Sequence, residues 1–187
     1  MPIYIKWLLG ALFIVYPFII YFGLMQFDIW QIAGLVAVIA GIRLYIFKGK
    51  PSHMAKVGFY SSIFLILFSL LSALLNQITW LKLYPIIVNL IALGLFASSL
   101  FSDKSAIQRI AELREKNIDQ TKQRYMYKLT VIWCIFFIVN AIISAYTVIY
   151  MSMKHWTLYN GFISYILIGL LVGIELTYRY LVVLRRP

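Results

Sequence analysis

Acidic residues are scarce in this sequence. Only 6 Asp and Glu occur among 187 residues, against 17 Lys and Arg, and charged residues make up 12% of the chain. Soluble domains carry about twice that charged fraction. Because 63% of the residues are hydrophobic, the composition indicates a protein embedded in a bilayer. The net charge of +11 then indicates the Lys and Arg bias that sets membrane topology, and we expect no nucleic-acid partner.

Cysteine and histidine are nearly absent as well. Cys134 lies alone in an apolar run, which excludes an internal disulfide and a thiolate metal cluster. The two histidines, His53 and His155, fall in connections predicted on opposite sides of the membrane, so they cannot share a metal site. Paired catalytic carboxylates, glycine-rich phosphate loops and nucleophile elbows are missing too. We therefore predict a protein that is not an enzyme, with no catalytic residues, cofactor or metal.

Long apolar runs are what the sequence contains instead. A helix needs about 20 apolar residues to cross the hydrocarbon layer. Six segments qualify, at residues 7–25, 30–47, 56–75, 81–101, 128–150 and 157–178. The first has no convincing cleavage site and is predicted to be a retained helix. The sequence predicts an all-α, polytopic bundle of about six spans, forming a single integral membrane domain over residues 1–187.

The cations indicate which connections lie on which side. Lys82 and Lys154 fall on one face, and the other 15 fall on the opposite face. The positive-inside rule then places both termini in the cytoplasm. Trp30, Trp80 and Trp156 fall at the three outer helix ends, where an indole suits the headgroup zone. The 15 inner cations are Lys6, Arg43, Lys48, Lys50, Lys56, Lys104, Arg109, Arg114, Lys116, Lys122, Arg124, Lys128, Arg179, Arg185 and Arg186.

Small residues recur at four-residue spacing within the spans, which lets helix backbones approach closely. Packing within the chain is the favoured interpretation, and a homodimer face is the alternative. The residues concerned are Ala33, Ala37 and Gly41, then Gly94 and Ser98, Ala141 and Ala145, and Gly169 and Gly173.

The hydrophilic stretch 103–127 divides the apolar runs and is predicted to be a cytoplasmic loop. Asp103 is expected to cap an amphipathic helix that begins near Lys104, followed by a linker. The apolar positions Ile107, Ile110, Ala111 and Ile118 recur near helical spacing, opposite Arg109, Glu112 and Lys116. This pattern predicts a helix on the inner leaflet, in which Lys104, Arg109 and Lys116 contact anionic headgroups. A solvated connector is the alternative.

A few polar residues fall inside the spans. Glu175 is the intramembrane carboxylate, and Arg179 follows it by one helical turn. A structural ion pair at a helix end is the favoured reading, and a functional pathway is the alternative. For Asn89, Asn140 and Asn160, interhelical hydrogen bonds are one interpretation, and the lining of a polar intramembrane cavity is the alternative.

Several segments resemble the intracellular septation protein A family of bacterial inner-membrane proteins. The segments are Lys104 with Ile107-Gln108-Arg109, then Lys128-Leu129, Trp133, Phe136-Phe137 and Asn140, and finally Trp156. The run Trp156-Thr157-Leu158-Tyr159-Asn160-Gly161 also resembles relatives encoded near aryl polyene and fatty-acid-type lipid synthesis genes. The resemblance implies a non-enzymatic, multi-span protein of the inner membrane that contacts envelope-building machinery.

Two classes of function follow. The first is a scaffold or accessory protein for envelope or lipid assembly, possible partners being envelope-assembly proteins, membrane lipids and a second copy of the chain. The second is a carrier for a lipid or small amphiphile, with a lipid-modifying enzyme as a distant third. A continuous polar cavity touching Asn89, Asn140 and Glu175 would favour the carrier, whereas a filled bundle would favour the scaffold.

Overall fold

The described chain is helical throughout. The structure, a computed structural model, describes residues 16–50, 52–112 and 119–179, and no strand occurs in those ranges. In chain order the helices are α1 at residues 16–23, α2 Ile29–Phe47, α3 His53–Leu75, α4 Thr79–Lys82, α5 Tyr84–Ser99, α6 Ala106–Ala111, α7 Gln120–Tyr150, α8 Met153–Leu158 and α9 Ser164–Tyr178. A π-helical turn, Tyr159–Ile163, joins α8 to α9.

Five segments of the described chain are long and apolar enough to cross a bilayer. They correspond to the last five predicted spans, so the all-α membrane bundle is confirmed. Much of the first predicted span, 7–25, lies outside the described residues. The segments are Ile29–Phe47, Ala55–Leu75, Thr79–Ser99, Gln120–Tyr150 and Met153–Tyr178.

The helices pack around two apolar clusters. α2 lies along α3, and α5 lies along both α3 and α7. The larger cluster joins residues of α1, α2, α3, α4, α5 and α8, with Ile20, Leu65 and Trp156 almost fully buried. The smaller one joins Phe96 of α5, Ala106 of α6 and Cys134 of α7. Cys134 is a free, buried cysteine and packs there as a small apolar side chain.

The three tryptophans at predicted outer helix ends have different surroundings. Trp30 is 60% exposed, as a headgroup anchor should be, whereas Trp156 is 0% exposed. The Trp156 indole N–H donates to the Lys82 carbonyl oxygen at 3.2 Å. The expectation of a headgroup position was therefore wrong for Trp156, because its ring fills the larger cluster and its only donor is satisfied inside the protein.

The predicted small-residue faces divide into two groups. Ala33 and Ala141 are buried, in keeping with packing inside the chain. A Cβ built on Gly94, Gly169 or Gly173, by contrast, would have no described residue within 4 Å outside its own helix. Packing among the described residues therefore does not account for these three glycines.

The central stretch differs from its prediction. Ser105, not Asp103, caps α6, since its hydroxyl accepts from the Gln108 amide at 3.4 Å. Asp119 caps α7 by accepting from the Lys122 amide at 2.7 Å. Residues 120–127 are thus the first two turns of α7 and not a linker. At 31 residues, α7 is about 46 Å long and exceeds the hydrocarbon thickness of about 30 Å.

α6 rests on the bundle. The Ala106 amide donates to the Ser99 hydroxyl at 2.8 Å, and the Ile107 amide donates to Thr130 Oγ1 at 3.4 Å. Ile107 packs against the smaller cluster. The apolar side of α6 is thus at least partly occupied by protein, and the part of the predicted surface helix that contains Lys116 and Ile118 lies outside the described residues.

Candidate functional site

The three intramembrane asparagines come together between α5, α7 and the π-helical turn. Asn140 Nδ2 donates to Asn89 Oδ1 at 3.0 Å, and the Tyr159 hydroxyl donates to Asn140 Oδ1 at 2.8 Å. Asn89, Asn140 and Tyr159 are each at most 9% exposed. This chain of hydrogen bonds joins Asn89, Asn140 and Tyr159, which are distant in sequence. We call these three residues, together with Asn160 beside Tyr159, the asparagine cluster.

Asn160 fastens the last span to α7. Its Oδ1 accepts from the Ser144 hydroxyl at 2.8 Å, and its Nδ2 donates to Thr147 Oγ1 at 3.1 Å and to the Trp156 carbonyl at 2.9 Å. The Trp156 carbonyl lies one turn before Asn160, where the helix widens into the π turn. The Tyr159 backbone amide also donates to this carbonyl, so the side-chain amide adds a second hydrogen bond where the backbone becomes irregular.

Gly161 allows α1 to reach this widened turn. A Cβ built on Gly161 would lie 2.8 Å from Phe18 Cε2 and 3.1 Å from Phe18 Cζ. Contacts that short are strongly repulsive, so only glycine permits this approach of the Phe18 ring.

A cavity of about 190 Å³ adjoins the asparagine cluster. Asn89, Asn140 and Asn160 line it, as the cavity hypothesis requires. Glu175 and Arg179 do not. The remaining lining residues are Tyr16, Pro17, Tyr84, Pro85, Val88, Ala92, Phe137, Ser164, Tyr165 and Ile168. Apolar side chains and tyrosine rings therefore form much of the wall, and the three asparagines contribute polar groups to it.

A buried arginine lies behind this wall. Arg43 of α2 is 2% exposed, its Nη1 donates to the Tyr84 hydroxyl at 2.7 Å, and its Nη2 donates to Ser61 Oγ at 3.4 Å. Counting Arg43 as a cytoplasmic loop cation was therefore wrong. Its sequence signal was a lone charge within the apolar run of α2, and such charges usually face a bundle interior.

Glu175 belongs to a separate polar contact near the end of α9. Its Oε1 lies 3.6 Å from Arg179 Nε and accepts from the Tyr125 hydroxyl at 3.2 Å. The Tyr125 ring also stacks on Tyr178, with centroids 5.8 Å apart. The predicted ion pair is present, and Tyr125 extends it into a link between α7 and α9.

The predicted headgroup cations make local contacts around α6. Lys104 Nζ lies 2.9 Å from Glu112 Oε2, and this contact lowers the pKa of the Glu112 carboxyl. Arg109 donates from Nε to the Lys104 carbonyl at 3.0 Å and from Nη2 to the Ser102 hydroxyl at 2.8 Å. Both cations also remain exposed. Contact with anionic headgroups stays a prediction for them, and Lys116 lies outside the described residues.

The part of the chain that the structure describes contains no candidate metal centre. No group of three or more His, Cys, Asp or Glu side chains there is placed to hold a metal ion. What the asparagine cluster and its cavity can do is hold helices together or donate hydrogen bonds to a neutral ligand.

Comparison with known proteins identifies the family of this chain. The family model described as intracellular septation protein A matches residues 5–183. The chain belongs to the intracellular septation protein A family. Among curated relatives, the inner membrane-spanning protein YciB of Buchnera aphidicola subsp. Acyrthosiphon pisum (strain 5A) is 27% identical over 148 residues, covering 78% of this chain and 80% of the relative. YciB of Pasteurella multocida (strain Pm70) is 27% identical over 169 residues, covering 88% and 91%.

These relatives also establish where the protein resides. They are named inner membrane-spanning proteins, and the described chain contains five candidate spans, so this member of the family is a multi-pass inner-membrane protein. No solved structure matches the chain. The link to aryl polyene gene neighbourhoods stays a prediction.

Proposed function

We propose that this protein is a non-enzymatic scaffold or accessory protein of the inner membrane in cell-envelope or lipid assembly, linked to division as the family description suggests. One observation carries the proposal. The intramembrane amides, which a carrier would direct at its cargo, are mostly bonded to one another and to Tyr159, Ser144 and Thr147. Their main effect is to hold α5, α7 and the last span in one arrangement.

The cavity is small for a transport path. Ligand pockets of drug-sized molecules are about 300–1,000 Å³, whereas this cavity is about 190 Å³. Glu175, the carboxylate that could couple transport to protons, lies outside its lining. Both facts favour the scaffold over the carrier.

A scaffold also needs faces for its partners. Beyond Ser164, every described residue of α9 is exposed or half-buried, and Leu170 and Ile174 are 55% and 68% exposed. Gly169 and Gly173 lie on this helix, and a Cβ at either position would meet no described residue of another helix within 4 Å. Small residues at such spacing let another transmembrane helix approach closely, so α9 is suited to contact a helix of an envelope-assembly protein.

Complementation of a deletion strain tests the proposal. Gly169→Leu combined with Gly173→Leu should abolish complementation while leaving thermal unfolding of the purified protein unchanged, because neither glycine contacts the rest of the described bundle. Val172→Leu on the same helix is the matched control and should complement.

The carrier remains the second candidate, because the cavity does bring Asn89, Asn140 and Asn160 together. Filling it with Ala92→Leu distinguishes the two functions. Full complementation by the double glycine variant, with loss in folded Ala92→Leu, would refute the scaffold and support the carrier.

A further inference from the structure

Two N–H groups of the asparagine cluster have no hydrogen-bond acceptor among the described residues. A side-chain amide carries two N–H groups. Asn89 Nδ2 donates to the Pro85 carbonyl at 2.7 Å, and Asn140 Nδ2 donates to Asn89 Oδ1 at 3.0 Å. Within the described residues, each amide thus has one N–H with no acceptor. Asn160 differs, because both of its N–H groups are used.

These two N–H groups lie where the lack of an acceptor is energetically costly. Asn89 and Asn140 are 8% and 6% exposed, and both line the cavity of about 190 Å³. A donor without an acceptor is costly in an apolar interior. The cavity that both residues line is the space from which an acceptor oxygen can reach them.

The rest of the wall indicates the chemistry of the occupant. Val88, Ala92, Phe137 and Ile168 give the cavity an apolar side. At about 30 Å³ per water molecule, its volume equals that of about six waters. It suits a short segment that carries an uncharged acceptor oxygen on a hydrocarbon body.

We infer that the cavity is a binding site for an acyl carbonyl group, in which the free N–H groups of Asn89 and Asn140 donate to the carbonyl oxygen and the adjoining methylenes contact Val88, Ala92 and Ile168. The shared chemistry fits a protonated fatty acid and a lipid ester. This site goes beyond the proposed scaffold role, since it adds a lipid ligand to the interior of the bundle.

The test observes the donors directly. Side-chain ¹H–¹⁵N resonances of Asn89 and Asn140 are recorded in detergent micelles during titration with 2-pentanone, and in parallel with 2-methylpentane, which replaces the carbonyl oxygen by a methyl group. The ketone should move one proton of at least one amide downfield in a saturable manner, and the alkane should not. Equal responses to the two compounds, no saturable response, or a cross-peak to water that persists at saturating ketone would overturn the inference.

Variants locate the response. Ala92→Leu fills the cavity and should abolish the ketone response. Gly94→Leu should retain the response, because Gly94 lies on the same helix but its Cβ would meet no neighbouring helix in the part of the chain that the structure describes. A saturable response that persists in folded Ala92→Leu would place the ketone elsewhere and overturn the inference. If Ala92→Leu does not fold, the contrast between ketone and alkane on the wild type decides.

A second experiment distinguishes the two natural sources. The protein is placed in phosphatidylethanolamine and phosphatidylglycerol vesicles that contain either a diazirine-bearing free fatty acid or phosphatidylethanolamine with the same chain. An adduct on the α5 peptide that contains Asn89 and Ala92 identifies the acid or the ester as the source. Absence of that adduct with both probes contradicts the site. Partner binding through α9 does not enter either readout, so failure here is distinct from failure of the scaffold proposal.

Discussion

Replacing Asn140 by leucine should lower the free energy of unfolding, because two interhelical hydrogen bonds disappear. The substitution removes the bond to Asn89 Oδ1 at 3.0 Å and the bond from the Tyr159 hydroxyl at 2.8 Å. Interhelical hydrogen bonds in membranes contribute about 0.6 kcal/mol on average and up to about 1.7 kcal/mol. Two such bonds give an expected loss of about 1–3.5 kcal/mol in the free energy of unfolding.

The assay is reversible unfolding in mixed micelles, followed by circular dichroism. Ile142→Leu serves as the control, since Ile142 lies on the same helix, is 63% exposed and should be nearly neutral. A double-mutant cycle with Asn89→Leu isolates the amide–amide bond. A loss below about 0.5 kcal/mol for Asn140→Leu, or a coupling energy near zero in the cycle, would refute the claim that these amides hold the helices together.

Substitutions at Arg43, Gly161 and Glu175 test other contacts by the same unfolding assay. Arg43→Lys should lose about 1.5–3 kcal/mol in the free energy of unfolding, because a lysine ammonium cannot reproduce both bonds that the guanidinium donates to Tyr84 and Ser61. Stability equal to wild type would contradict the buried role of Arg43. Gly161→Ala should lose about 1–3 kcal/mol through collision with Phe18. Its control, Gly169→Ala, should be neutral or slightly stabilising, because the new Cβ would meet no described residue of another helix. Glu175→Gln should lose about 1 kcal/mol or less and still complement a deletion strain, and lost complementation with unchanged folding would promote the carrier.

The spans could be predicted because the bilayer imposes length and hydropathy on any crossing helix. The same constraint could not show that residues 120–127 continue α7. Those residues are polar and leave no apolar periodicity, and the helix is started locally by the Asp119 side chain. Hydropathy indicates where the hydrocarbon layer ends, but a helix can continue beyond that point into water.

Contacts between helices were harder to predict than the helices themselves. Asn89, Asn140 and Asn160 were recognised as candidates because amides are unusual in spans, but hydropathy does not say that α5 meets α7. Arg43 was misplaced because it lies near the end of its span, where a charge usually reaches water. Its burial depends on Tyr84 and Ser61 of two other helices. The need for glycine at position 161 likewise arises from a neighbouring helix, since the Phe18 ring occupies the space beside it.

Mass spectrometry of the proteins and lipids that co-purify with the wild type in gentle detergent from its native host tests the scaffold proposal most directly. The matched sample is the variant that carries Gly169→Leu and Gly173→Leu. The scaffold predicts envelope-assembly proteins that accompany the wild type and are lost with the variant, while bound lipid is equal in the two samples. Identical protein partners in the two samples, or no protein partner and a bound lipid that Ala92→Leu removes together with complementation, would contradict it.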